Sequence, residues 1–222
     1  VNAKILTIDD VPRTHHSADV LLCQNFGACS MNFSTEVSTQ KLLGLEFLLL
    51  RREFKKAHLE GRIYSKHLPK RILVTLGGGT PQSDSANLKI ARALADFDAN
   101  QVEVIFIAGK MSANKAELNK CLSRNHRLLD SSDNMAREMS QADIAIVAGG
   151  TSMWELMYMG VPFLAVALTE AQKEYIELLA AHKLCLNLGG YDSLQPTYVK
   201  DAVTRLLLDS MLQKEFKRRY SD

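Results

Sequence analysis

Short runs of Ile, Val and Leu alternate with stretches of helical periodicity along most of the 222 residues. Six runs have the length and composition of strands covered on both faces: residues 3–8, 20–24, 71–76, 102–107, 144–148 and 163–166. Between them, residues 85–97 place Leu88, Ala91 and Leu94 at helical spacing. Residues 197–209 do the same with Val199, Ala202, Val203, Leu206 and Leu207, and Pro196 stands where a first-turn proline starts a helix. Strands alternating with helices predict an α/β fold with mostly parallel sheets.

The stretch 42–70 breaks this rhythm. It mixes charges, contains Gly61 and ends in Pro69 before a new strand, so the domain boundary is expected there. Residues 63–222 carry four good strands, enough for a Rossmann-like lobe. Residues 1–62 carry two strands and a linker, the remaining part of a first lobe. The opening at Val1 reads at once as a core strand, as though the chain were cut from something longer.

Composition narrows the chemistry. Apolar residues make up 46%, and 27 basic against 25 acidic residues leave a net charge of +2, dispersed along the chain. Neither a nucleic-acid track nor a polybasic membrane patch is implied. Cys23, Cys29, Cys121 and Cys185 have no CxxC pairing and no histidines at zinc-finger spacing, so free thiols are expected, with no metal site and no cofactor. The apolar runs fall short of the roughly 18 residues of a membrane span. A cytoplasmic location follows as the expectation.

Three segments could hold a ligand. Gly77, Gly78 and Gly79, with Thr80 and Pro81, join a strand to a helix, where glycines let a ligand approach the backbone and helix amides can meet a phosphate. They lack the spacing of GxGxxG and the lysine of a Walker loop, so they equally describe a tight turn. Gly149 and Gly150 open a second turn of the same kind, followed by Thr151, Ser152 and, one helical turn on, Glu155. Thr151 and Ser152 can cap the helix and donate to a phosphate, and Glu155 can complete a capping box with Ser152 or accept from ribose hydroxyls. Thr169, Glu170 and Gln172 follow the strand at 163–166 and face the same crevice; an ordinary helix start capped by Thr169 is the alternative.

Other chemistry-bearing residues read as structural. Asp9 and Asp10 are adjacent on an extended chain and point to opposite sides, and Asp10 can cap the turn at Pro12. His15 and His16 have no acidic or cysteine partner at ligand spacing. Trp154 is read as core or pocket wall, and residues 214–219 as a solvated helix end.

In order, LTIDD, ADVLLCQNFGA, LLGLEFLLLRREF, RILVTLGGGTPQ, ADIAIVAGGTSMWELMYMGVP and TEAQ resemble the UDP-2,4-diacetamido-2,4,6-trideoxy-altropyranose hydrolases of pseudaminic acid synthesis and their spore-coat polysaccharide relatives. The glycine-acid turn is shared with GT-B glycosyltransferases, whereas IDD, QN and LLRREF favour the hydrolase branch. The resemblance implies two Rossmann-like lobes, a UDP-sugar as partner and release of UDP by water attacking the anomeric carbon. Carried over, Gly78 and Gly79 approach the nucleotide-sugar, Gly150, Thr151 and Ser152 hold the diphosphate, and Glu155 the ribose. Relatives have a histidine on a glycine-rich loop near their N-terminus, which has no counterpart from Val1 onward, so the catalytic residue is unassigned. Many have Asn-Gln where Ala171-Gln172 stands here. A glycosyltransferase and a noncatalytic nucleotide-sugar binding module remain the alternatives; sugar and oligomeric state are open.

Overall fold

A computed structural model describes residues 3–60, 69–98, 100–124 and 126–221. The chain divides into two compact units, Val1–Arg51 and Arg52–Asp222. The boundary expected between residues 62 and 63 lies outside the described residues.

In the first unit β1 (Leu6–Ile8), β2 (Val20–Cys23) and β3 (Gln40–Leu43) form a parallel sheet in that order. The middle strand is buried, and Leu21 and Cys23 pack with Ala28 and Phe33 into a small core. β1 is not the core strand that its composition predicts. Among the described residues it has a neighbour on one side only, and Leu6 and Ile8 are each 56% exposed. β3 was not anticipated, because Gln40 and Lys41 give a short edge strand little apolar signature.

The second unit contains α1 (Arg52–Glu60), β4 (Lys70–Thr75), α2 (Pro81–Leu94), β5 (Val102–Ile107), α3 (Lys115–Cys121), β6 (Arg127–Leu129) and α4 (Met135–Gln141). These are followed by β7 (Ile144–Ala148), α5 (Thr151–Tyr158), β8 (Phe163–Ala167), α6 (Glu170–Ala181), β9 (Leu186–Gly190), α7 (Pro196–Leu208) and α8 (Ser210–Ser221). Six parallel strands take the order β6-β5-β4-β7-β8-β9, two more than the four expected. The additions are the two edges. β6 has only three residues, and β9 contains an asparagine and two glycines.

Every residue of β7 and β8 is buried, as a sheet covered on both faces requires. Alternate strand positions, among them Val74, Phe106, Ile146 and Leu164, pack with Leu88 and Ile90 of α2, Val199 and Val203 of α7 and Phe216 of α8. Each such side chain contributes about 1.5–3 kcal/mol when fully buried. The basic run 214–219 therefore belongs to a docked helix rather than a purely solvated end: Phe216 is buried, and the Tyr220 hydroxyl donates to the Leu184 carbonyl at 2.8 Å.

Helix ends follow local chemistry. Pro196 begins α7 as expected. Gly160, at φ +64°, closes α5, with its N–H on the Met157 carbonyl and the Val161 N–H on that of Leu156. Pro162 then leads directly into β8. The sheet order reverses between β4 and β7, and the chain leaves each of these strands through a glycine turn.

Candidate nucleotide-binding site

The adjacent strands β4 and β7 run in register, Thr75 beside Val147, so their carboxyl ends open side by side. β8 lies next to β7 and ends in the same direction. The three predicted segments thus leave one edge of the sheet from three consecutive strands, at the switch point where an open α/β sheet offers a crevice.

The first turn is a braced structure. Gly77 and Gly79 have φ of +88° and +97°, backbone that favours glycine. A Cβ on Gly79 would lie 2.2 Å from the Ser112 nitrogen, and one on Gly109 would lie 2.0 Å from the Gly78 carbonyl carbon. The Met111 N–H donates to the Gly78 carbonyl at 3.1 Å. Open space surrounds the Cβ positions of Gly77 and Gly78. Behind the turn, Thr80 caps α2: its hydroxyl accepts the Ser83 N–H, and the Ser83 hydroxyl accepts the Thr80 N–H at 2.8 Å. Pro81 and Asp84 complete this first turn.

The second turn lacks such closure. The cap of α5 is Gly150, in extended backbone, and makes no side-chain capping bond. Thr151 and Ser152 stand inside the helix and do not cap it, and the expected Ser152–Glu155 capping box does not form, because the helix begins two residues earlier than that motif requires. Among the described residues, the N–H groups and hydroxyls of Thr151 and Ser152 take no hydrogen-bond partner. The first turn of α5 has no acidic residue, leaving the positive end of its dipole unmatched there. A Cβ on Gly150 would meet nothing within 4 Å, while one on Gly149 would lie 2.9 Å from the Gln172 Cβ. Glu155 is 5% exposed. Trp154 is core, its ring edge-on to Tyr175 at 5.6 Å between centroids.

In the third segment Thr169 caps α6 by accepting the Gln172 N–H at 3.3 Å. The Gln172 Oε1 accepts the Leu168 N–H at 2.8 Å, which ties the side chain back to its own strand end. Glu170 pairs with Lys173 at 3.4 Å and is exposed. These bonds support the helix start and leave the Gln172 amide nitrogen as the group available beside Gly149.

Asp9, Asp10, His15 and His16 belong to the first unit. Asp9, rather than Asp10, closes the turn: its Oδ1 accepts the Val11 N–H at 3.1 Å, and its Oδ2 lies 3.1 Å from His16 Nε2. Asp9 precedes the turn by the two residues that a side-chain-to-backbone bond needs. His15 lies 2.9 Å from Ser34 Oγ and 3.1 Å from Glu36 Oε1, partners about twenty residues away that local spacing does not reveal. All four cysteines are free; Cys185 is buried, and burial pushes its thiol up to about 12.

Asp84 and Gly109 were missed. Asp84 is 5% exposed and binds the loop after β5. A glycine two residues beyond a strand end, at 109 as at 77 and 150, was the available signal.

Residues 72–220 match the glycosyltransferase family 28 C-terminal domain. The chain belongs to this family. The matched span contains all three segments at the sheet edge. Among curated proteins, the chain is 26% identical over 174 residues to the spore coat polysaccharide biosynthesis protein SpsG of Bacillus subtilis (strain 168), covering 78% of this chain and 50% of that one. It is 28% identical over 172 residues to the uncharacterized protein MJ1062 of Methanocaldococcus jannaschii, covering 73% and 35%. The chain thus spans about half the length of the first relative and about a third of the second. Among solved structures it is similar to Acinetobacter baumannii MurG, with a TM-score of 0.63 and 16% identity over 91% of this chain and 55% of that one. It is also similar to the calicheamicin glycosyltransferase CalG4, with a TM-score of 0.59 and 18% identity over 91% and 48%. These likenesses show the fold: one Rossmann-like lobe of the GT-B type. No described helix is long and apolar enough to cross a membrane.

Proposed function

We propose that this chain is the nucleotide-sugar-binding lobe of an enzyme that cleaves the anomeric C–O bond of a UDP-sugar in surface-polysaccharide assembly. The observation that carries it is the uncapped start of α5. Two backbone N–H groups and two hydroxyls, from Thr151 and Ser152, stand there without partners among the described residues, next to a glycine whose Cβ position is open. A diphosphate supplies the oxygens and the negative charge that this helix end lacks.

The other residues take roles around that anchor. Gly77 and Gly78 let the sugar phosphate pass close to the backbone, Glu155 accepts from the ribose hydroxyls, and Thr169, Glu170 and Gln172 border the sugar. In the reaction an oxygen nucleophile bonds to the anomeric carbon as its bond to the β-phosphate oxygen breaks. UDP departs with the bonding electrons, and the nucleophile's proton passes to a base that these residues do not identify. The α5 amides stabilise the charge gathering on the leaving diphosphate by preorganised electrostatics.

Water is the acceptor on the likeness of the early IDD, QN and LLRREF segments to the UDP-sugar hydrolases. The second reading, transfer to a sugar or lipid acceptor, is favoured by the family itself and by the glycosyltransferases among its structural neighbours. A cytoplasmic location accords with either.

Calorimetric titration of UDP, with ADP and GDP as controls, tests the binding role. UDP alone should bind, and Glu155→Ala should weaken it by about 1.5–3 kcal/mol, the value of a hydrogen bond to a charged group. Equal binding of all three diphosphates, or an unaffected variant that remains folded, would overturn the assignment. UDP release by the full-length protein, with and without added acceptor, then separates hydrolysis from transfer.

A further inference from the structure

Asp84 has no place in the nucleotide contacts just assigned, yet it is a buried acid in the first turn of α2. Its Oδ1 accepts the Ser112 hydroxyl at 2.6 Å, and its Oδ2 accepts the Ala113 N–H at 2.9 Å. A carboxylate removed from water is costly unless its oxygens are bonded, and here each oxygen has a donor. Both donors lie on the loop after β5.

That loop is the brace of the first glycine turn. Its Met111 N–H holds the Gly78 carbonyl, its Gly109 touches the Gly78 backbone, and its Ser112 nitrogen leaves no room for a side chain on Gly79. The contacts close a ring. Gly78 is held by Met111, the neighbouring Ser112 and Ala113 by Asp84, and Asp84 by the helix that Thr80 starts directly after Gly79.

Electrostatics separates the two helix starts as well. Asp84 supplies a negative charge in the first turn of α2, whereas the first turn of α5 has none. An anion is therefore directed to α5, while α2 carries a backbone shape.

We infer that Asp84 is a positioning residue for the nucleotide-sugar site, holding residues 109–113 against Gly78 and Gly79 so that the open sides of Gly77 and Gly78 keep the form a ligand passes. The ligand half of this rests on the nucleotide-sugar reading above; the structural half does not.

Site-resolved amide hydrogen exchange on the whole chain, followed by UDP titration, tests both halves. In Asp84→Ala, protection at Met111 and Ala113 should fall on the order of tenfold more than at Met153, whose N–H is bonded in the other turn. UDP affinity should fall by about fivefold or more, with Asp84→Asn, which keeps an acceptor without the charge, in between. Ser112→Ala removes one bond only and should reproduce the local effect in smaller measure, which covers the case in which Asp84→Ala fails to fold. Unchanged protection at Met111, or equal losses at Met111 and Met153, would overturn the positioning role. Lost protection with unchanged UDP affinity would also overturn it. If the unaltered chain binds no UDP, the nucleotide reading falls, and the exchange data still decide whether Asp84 holds the turn.

Discussion

The two glycine turns leave neighbouring strands at the same end of one sheet, yet they are finished in opposite ways. After β4 the polar groups are satisfied within the chain: Thr80 and Ser83 cap each other's backbone, Met111 takes the Gly78 carbonyl, and Asp84 meets the helix dipole. After β7 the cap is a bare glycine, and the first two amides of α5 take no partner among the described residues. A turn that completes itself acts as scaffold. A turn that leaves donors unpaired keeps them open to solvent or to a ligand, and the proposed site rests on that difference rather than on the glycines, which both turns share.

The contrast is broken most directly by adding a methyl group to each turn. Gly79→Ala places a Cβ 2.2 Å from a backbone nitrogen at a positive φ, so it should cost about 2–4 kcal/mol of stability in urea unfolding. Gly150→Ala, in extended backbone with open space around it, should cost about 1 kcal/mol or less. Its methyl enters the space assigned to the diphosphate, so UDP affinity should fall about tenfold, or about 1.4 kcal/mol. If Gly150→Ala instead unfolds the chain and binding by the surviving fraction is normal, the second turn is scaffold too.

Hydroxyl deletions sharpen the same point with a smaller effect. Thr80→Ala should lower stability by about 1 kcal/mol, the value of a helix cap, and weaken UDP binding less than it weakens the fold. Thr151→Ala should do the reverse, changing stability by no more than about 0.5 kcal/mol and weakening UDP by about 0.5–1.5 kcal/mol. Isothermal titration and chemical denaturation on the two variants make the comparison.

The smallest effect concerns neither turn and serves as the control. His126 is buried and its ordinary value of 6.5 is lowered by that burial. The neutral ring is thus favoured in the folded state and the unfolded chain binds more protons. Stability should be full above about pH 6.5 and decline as pH falls through 6.5 toward the lowered value. His126→Gln should flatten the decline without altering UDP binding; an unchanged slope assigns it to other groups.

Much of this was legible in the sequence because it is local. The glycines, the strands that carry them and the helix starting at Pro196 depend on residues within a few positions of each other. The edge strands β3, β6 and β9 were not legible, since their identity comes from pairing with distant neighbours and their own residues are few and partly polar. Capping was legible in kind but misplaced by one or two residues: Thr151 and Ser152 read as caps, and Gly150 is the cap. Asp84 was invisible because its partners, Ser112 and Ala113, lie nearly thirty residues on. Asp9 and Asp10 are indistinguishable in the sequence as turn-closing residues because the two differ only by which side of an extended backbone they occupy.

The close packing of Gly149 against Gln172 has a consequence for how such chains drift. A methyl at position 149 would sit 2.9 Å from the Cβ and 3.0 Å from the Cγ of residue 172. Any side chain at 149 therefore meets the Cβ that every residue except glycine carries at 172, with Ile176 Cδ1 at 3.2 Å beside it, and Gln172 in turn carries the bond to Leu168 that fixes the strand end. A contact made twenty-three residues further along the chain thus confines position 149 to the one residue without a side chain.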